Sequence, residues 1–287
     1  MRIAQPALSR QIRLLEETLK TPLFIRSVRG VALSEAGERL LPHAQAIMDQ
    51  IAAIPDLVSD QNCHISGRVV IGVPTATSAV LSKPLLDVAR KALPGVQLHL
   101  VESLSGFLAK WLQDHTLDFS ILYDPEPYAH VEFEQLLVEE LALVGTLATL
   151  KDTHKVRLSD LIAYPLVLPS HSHALRRLLE TVAARHHQRL NVAVEIDSLP
   201  IMKAAIQSGE YFSVLAPTAI QSELSTGLLH CVPVVDPVIS RMVTLAHSSD
   251  RAQTRASREV ARLVRDVVRQ LQTSGIWKSS SYPGAET

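Results

Sequence analysis

Gln5, Ser9 and Arg13 stand four residues apart with Arg10 beside them, so a helix through this stretch gathers amide, hydroxyl and guanidinium donors on one face. Such a face suits the major groove of DNA, where glutamine and arginine make paired hydrogen bonds to adenine and guanine edges. It equally suits plain solvation, the ordinary fate of a polar helix face. The residues that follow favour the groove. Pro22 to Arg26 and Val31 to Leu33 read as two short strands around the turn Ser27-Val28-Arg29-Gly30, which sets Arg26 and Arg29 near a hairpin tip. A helix followed by a basic hairpin is the layout of a winged helix-turn-helix, the hairpin reaching phosphates or the minor groove.

Other chemistry finds little support. His171 and His173, with His186 and His187, have short spacings, but no cysteine or carboxylate stands where a metal site needs one. A GxSxG elbow, an HExxH pair, a P-loop and a GxGxxG following a strand are all missing. Neither an enzyme nor a bound cofactor is expected.

The elements that position these groups follow from periodicity. Leu8, Ile12, Leu15 and Leu19 mark one apolar helix face, and Pro6 suits the first helical position because its missing N–H has no partner there. Ser34 can cap the next helix, with Glu35 matching the dipole. From 35 to 62 the chain reads as a linker helix whose residues Leu40, Ala44, Ile47, Ile51, Ile54 and Val58 form a heptad seam, suited to a second subunit or to the chain's own core. Pro42 and Pro55, each costing about 3 kcal/mol in a regular helix, predict a kink near 42 and an ending or bend near 55. His64 to Gly67 looks like a hinge.

The chain has 287 residues, enough for about two domains. Residues 1–33 carry six basic and two acidic side chains, a net of +4, whereas the other 254 residues carry 22 basic and 27 acidic, a net of −5. The small basic piece calls for an anionic partner. Cys63 and Cys231 cannot build a disulfide framework, and no run approaches the ~18 apolar residues of a membrane span, which together point to the cytoplasm. From residue 65 to 275, strands at 68–74, 96–101, 117–123, 138–145, 164–168, 192–196 and 211–215 alternate with helices. That implies an α/β domain of two lobes, with a parallel sheet and a small-molecule cleft at the carboxyl ends of its strands. Lobe I is expected at about 67–137 and 236–275, lobe II at about 138–235, and a flexible tail at 276–287. Arg251, Arg255, Arg258, Arg262, Arg265 and Arg269 line one face of a final helix, opposite Val260, Val264, Val267 and Leu271; solvation, a subunit contact and a phosphate site remain open for them.

The run AQPALSRQIRLLEETLKTPLFIRSVRGVALSEAG resembles the LysR-type transcriptional regulators, in wording closest to the nitrogen-assimilation-control branch. The resemblance implies a partial winged helix-turn-helix over 1–34, then the linker helix, then a periplasmic-binding-protein-like effector domain. That domain's frame is visible in Gly67 to Pro74, Leu117 to Leu122, Glu195 to Leu199, and Ser208-Gly209 followed by Leu215-Ala216-Pro217. By position it places Gln5, Pro6, Ala7, Ser9, Arg10 and Arg29 on operator DNA, joined by Arg13 and Arg26 from the reading above. Its effector-binding candidates are Thr75, Ser78, Ser103, Tyr123, Ser170, His173 and Ser213. The partners implied are double-stranded operator DNA, a small-molecule effector and further copies of the chain, as homodimer or homotetramer; no membrane is among them. Three spellings depart: Ala4 for serine, Lys20 for the glycine of a helix end, and Glu210-Tyr211 where a second glycine is usual, a change expected to alter the cleft. Members of the family carry one helix and most of another before the recognition helix, and Leu8, Ile12 and Leu15 would pack against them. The chain as written is therefore expected to grip DNA poorly, and a truncated, DNA-binding-impaired or dominant-negative subunit stands as the alternative.

Overall fold

The computed structural model describes residues 5–27, 30–58, 65–125, 127–250 and 252–280. They divide into two compact units, Met1–Pro55 and Asp56–Thr287. The first unit opens with α1 (Gln5–Leu19), whose apolar and polar residues segregate to different faces. Lys20 ends α1 in the left-handed conformation, φ 52°, at the position where glycine is usual. Strands β1 (Phe24–Ser27) and β2 (Gly30–Leu33) pair antiparallel as the expected hairpin. The helix α2 runs from Glu35 to Val58. Thus α2 continues beyond Pro55; each proline deletes one helical hydrogen bond, and the flanking turns keep theirs.

In the second unit, lobe I is built on β3 (Ser66–Val73), α3 (Thr75–Ala92), β4 (Gly95–Glu102), α4 (Ser105–Gln113), β5 (Phe119–Tyr123) and β6 (Val131–Glu140). Ser66 and Gly67 begin β3 and pair with β4, so the expected hinge residues belong to the sheet. Lobe II follows, with β7 (Ala142–Gly145), α5 (Leu147–Leu150), β8 (Val156–Arg157), a 3-10 turn at Leu158–Ala163, β9 (Leu166–Leu168), α6 (Ala174–Arg185), β10 (Val192–Glu195), α7 (Leu199–Gln207), β11 (Ser213–Leu215), a second 3-10 turn at Pro217–Ile220, α8 (Gln221–Ser225) and β12 (His230–Val235). The chain then returns to lobe I through β13 (Ser240–Ser248) and closes with α9 (Arg255–Thr273).

The lobe I sheet has the order β4-β3-β5-β13-β6. Its first three strands are parallel, as expected, but β13 runs antiparallel to both β5 and β6. The parallel-sheet expectation is corrected for a topological reason: β6 leads out of lobe I and β13 leads back. Lobe II is also mixed, with β7 antiparallel to β11 and β12, and β8 parallel to β12. Each lobe has its own apolar core, one around Ile71, Leu81, Phe119, Val264 and Trp277, the other around Leu143, Leu168, Leu179 and Val214. Gly72 is required where β3 crosses β5, since a Cβ there would meet Ser120 Oγ at 2.5 Å. Asp118 ties the same strands, accepting the Val70 N–H at 2.7 Å.

The tail expectation is also corrected for residues 276–280. Trp277 is fully buried in the lobe I core and the Ser280 N–H donates to Val138 on β6, so apolar burial and a strand-like bond fix this segment. On α9, Val260, Val264, Val267 and Leu271 are buried, while Arg262, Arg265 and Arg269 form ion pairs with Glu259, Asp266 and Glu134. Arg251 lies outside the described residues. Among the described residues, no helix is long and apolar enough to cross a membrane.

Candidate functional site

In the first unit, Ala7, Arg10 and Arg13 are exposed on α1 and Ser9 is half-buried, with Gln5 and Pro6 in the first turn. Arg26 lies on β1; Arg29 falls outside the described residues. Residues not expected to matter hold this surface together. The Glu16 carboxylate accepts the N–H groups of Leu23, at 2.7 Å, and Phe24, at 3.1 Å, which fixes the start of the hairpin against α1. Ser34 caps α2 as expected, accepting the Gly37 N–H at 3.0 Å while donating to the Pro22 carbonyl at 2.6 Å. Gly37 sits so close to Leu23 that a Cβ would lie 2.1 Å from its carbonyl oxygen. The apolar stripe is open, Leu8, Leu15 and Leu19 being 49%, 42% and 45% exposed.

In the second unit, a cleft with about 600 Å³ of open space lies between the lobes. Of the seven residues expected there, Thr75, Ser103, Tyr123 and His173 line it. The other three are turned to local bonds. Ser78 meets Ser82 on α3, Ser170 meets Ser172, and the fully buried Ser213 donates to the Val167 carbonyl at 2.8 Å. Glu210 and Tyr211 do not line the cleft either, because Tyr211 packs on the lobe II core and Glu210 faces outward. Apolar walls come from Leu104, Ile196, Leu199, Met202 and Leu215.

Two charged residues that sequence reasoning missed complete the lining, Asp197 and Arg241. Asp197 accepts the Ser170 N–H at 2.8 Å, which holds its carboxyl below the usual carboxylate range. Arg241, on β13, is 3% exposed and spreads over the Tyr123 ring, 3.6 Å from its centroid. Its Nε donates to Glu139 Oε1 at 2.7 Å, directly across the β6–β13 ladder. The second Glu139 oxygen accepts from Thr218 Oγ1, at 3.0 Å, and from Trp277 Nε1, at 2.8 Å. Burial pushes the Tyr123 hydroxyl up to about 12, and that hydroxyl shares a 2.7 Å bond with Thr77 Oγ1. Burial, with the Arg241 charge second, holds His173 down at about 4. The ring caps α6 through Nδ1, which accepts the Leu175 N–H, so the proton of the neutral imidazole sits on Nε2. His171 is drawn to Glu180, Glu195 and Arg176, and no group of His, Cys, Asp and Glu suited to a metal ion occurs among the described residues.

An exposed donor-bearing helix with its hairpin, followed by a two-lobed cleft, defines a DNA-binding regulator that answers a small molecule. Residues 1–38 match the bacterial regulatory helix-turn-helix proteins of the lysR family, and residues 64–269 match the LysR substrate binding domain. The chain belongs to the LysR family of DNA-binding transcriptional regulators. It is 30% identical over 275 residues to the HTH-type transcriptional regulator BbuR of Bordetella bronchiseptica, across 96% of this chain and 85% of that protein. It is 35% identical over 225 residues to the nitrogen assimilation regulatory protein nac of Escherichia coli, across 77% of this chain and 72% of that protein. Full-length OxyR of Pseudomonas aeruginosa shares the fold, with a TM-score of 0.71 at 22% identity over 93% of this chain and 86% of that one.

Proposed function

We propose that this chain reads operator DNA through α1 and the β1–β2 hairpin, senses a small molecule in the interlobe cleft, and acts in the cytoplasm as a dimer or tetramer joined along α2. The observation that carries the DNA assignment is the exposed row Ala7, Arg10 and Arg13 beside Ser9, on the one helix tied by Glu16 to a basic hairpin. Subunit pairing is supported by Ile47 and Ile51, seam residues that are 57% and 54% exposed. A ligand moves such a system only by its preference for one arrangement of the lobes over another, which the paired α2 helices then pass to the DNA-reading helices. Catalysis has no place in this reading.

The test is a gel shift with duplexes selected from a random pool, run over a range of salt. Arg10→Ala and Arg13→Ala are expected to weaken binding by about 1–3 kcal/mol where they read a base, or to flatten the salt slope by about one unit per lost phosphate contact. Binding that both substitutions leave unchanged would overturn α1 as the reading helix. The open apolar stripe of α1 favours a second reading, a subunit that pairs but grips DNA weakly and so acts against intact partners. Stable oligomers that give no shift, yet abolish the shift of a full-length relative they mix with, would select it.

A further inference from the structure

The cleft is biased toward one sign of charge. Helices α3 and α4 both begin on it, at Thr75 and Ser105, and no side chain caps either one. The first N–H groups of a helix have no carbonyl of their own to meet, so two such starts side by side present donors and partial positive charge. Arg241 is the independent observation. Although its Nη2 lies 2.6 Å from Glu139 Oε1, the angle makes no hydrogen bond, and this buried nitrogen has no acceptor among the described residues. Opposite, the His173 Nε2 proton adds a neutral donor, while Ile196, Leu199, Met202 and Leu215 offer only carbon.

We propose that the cleft takes a small organic acid, its carboxylate held between the starts of α3 and α4 and received by Arg241, its carbon skeleton against the apolar wall of lobe II. The proposal rests on the cleft being the effector site and adds the ligand's chemistry. Arg241 also gives the binding a built-in reporter. Glu139 holds both Arg241 and the Trp277 indole, so a carboxylate that draws on Arg241 changes the charge felt at Trp277. Trp111 and Trp277 are the two tryptophans of the sequence, and Trp111→Phe leaves Trp277 as the single emitter.

The experiment uses the full chain carrying Trp111→Phe, titrated with butyrate, succinate and benzoate. Sodium chloride at matched ionic strength and 1-butanol serve as controls. At least one acid is expected to raise the thermal midpoint and shift the Trp277 emission where chloride and butanol do not. Arg241→Gln should weaken that response about tenfold or more, the worth of a charge-assisted hydrogen bond. Should Arg241→Gln fail to fold, Glu139→Gln with Arg241→Gln removes both buried charges and is read in its place. Asp197→Asn, which takes a negative charge from the cleft, should tighten binding a few-fold. No acid response, a butanol response equal to that of butyrate, or an undiminished response in the Arg241 variants would overturn the proposal. Failure of the DNA-reading assignment appears only in the gel shift, so the two outcomes are separable.

Discussion

The α1 surface and the interlobe cleft differ in how far along the chain their parts lie. Glu16 fixes Leu23 and Phe24, seven and eight residues away. Glu139 fixes Arg241 and Trp277, which are 102 and 138 residues away. The first site is a helix face that needs only a nearby turn to hold it. The second exists only after two strands have crossed between the lobes and the last described segment has folded back on lobe I. Local closure places side chains in water, where each works alone; distant closure places them in a shared buried network, where removing one leaves the others without partners.

The largest effect is therefore expected from Glu139→Ala. It leaves the Arg241 guanidinium buried without its carboxylate and deprives Thr218 and Trp277 of their acceptor, a loss of about 3–5 kcal/mol. Urea unfolding followed by Trp277 emission measures it, and a loss below about 1 kcal/mol would show that the network relaxes around the deletion. Next comes a pair of glycines, one in each unit. Gly37→Ala drives a Cβ into a backbone carbonyl that cannot step aside, and about 2–3 kcal/mol is expected from the first unit. Gly72→Ala meets Ser120 Oγ, Leu117 Cδ1 and Leu108 Cδ2, side-chain atoms able to shift, so its cost should be smaller, about 1–2 kcal/mol. Thermal unfolding of the two variants gives the order, and a reversed order would place the tighter constraint in the cleft domain.

The same contrast explains what could be read before the fold was known. The α1 face, the hairpin, the Ser34 cap and the alternation of strands with helices each depend on residues within a few positions of one another, where periodicity and turn chemistry act. Serine positions were a poorer guide to the cleft. Ser78, Ser170 and Ser213 carry hydroxyls near strand ends or loops, but each found a bond within its own lobe. Arg241 left no local mark, because an arginine in a strand is ordinarily at the surface; only its cross-strand partner Glu139 explains its burial. Trp277 stood beyond the last periodic helix and read as tail, although a tryptophan there is a large apolar group in search of a core.

His173 separates the cleft from the α1 surface by pH. Burial keeps it uncharged down to about 4, whereas an unfolded histidine titrates near 6.5. Between those values the unfolded chain binds the proton first, so the stability of the second unit falls as pH falls, by an amount on the order of 2 kcal/mol. Asn is as good a helix cap, so His173→Asn should keep α6 in place and flatten this slope. Denaturation midpoints at pH 6.5 and 4.5 decide it, and a slope unchanged by the substitution would assign the acid sensitivity to other groups.

The smallest effect belongs to Arg262, and its size tests the whole contrast. It makes ion pairs with Glu259, at 2.9 Å, and Asp266, at 3.1 Å, on its own helix, with the side chain 55% exposed, against 3% for Arg241. Two geometrically sound bonds in water should contribute far less than one in the cleft floor, so Arg262→Ala is expected to cost no more than about 0.5 kcal/mol and to cost nothing in high salt. Arg265, which grips Glu134 on β6 through both carboxylate oxygens, should cost more, about 1 kcal/mol, because it joins two elements instead of two turns of one. A cost above about 1.5 kcal/mol for Arg262 that grows with protein concentration would mean that the arginine face of α9 is covered by a second copy of the chain, and that distance along the sequence is then not what separates a strong charge pair from a weak one in this protein.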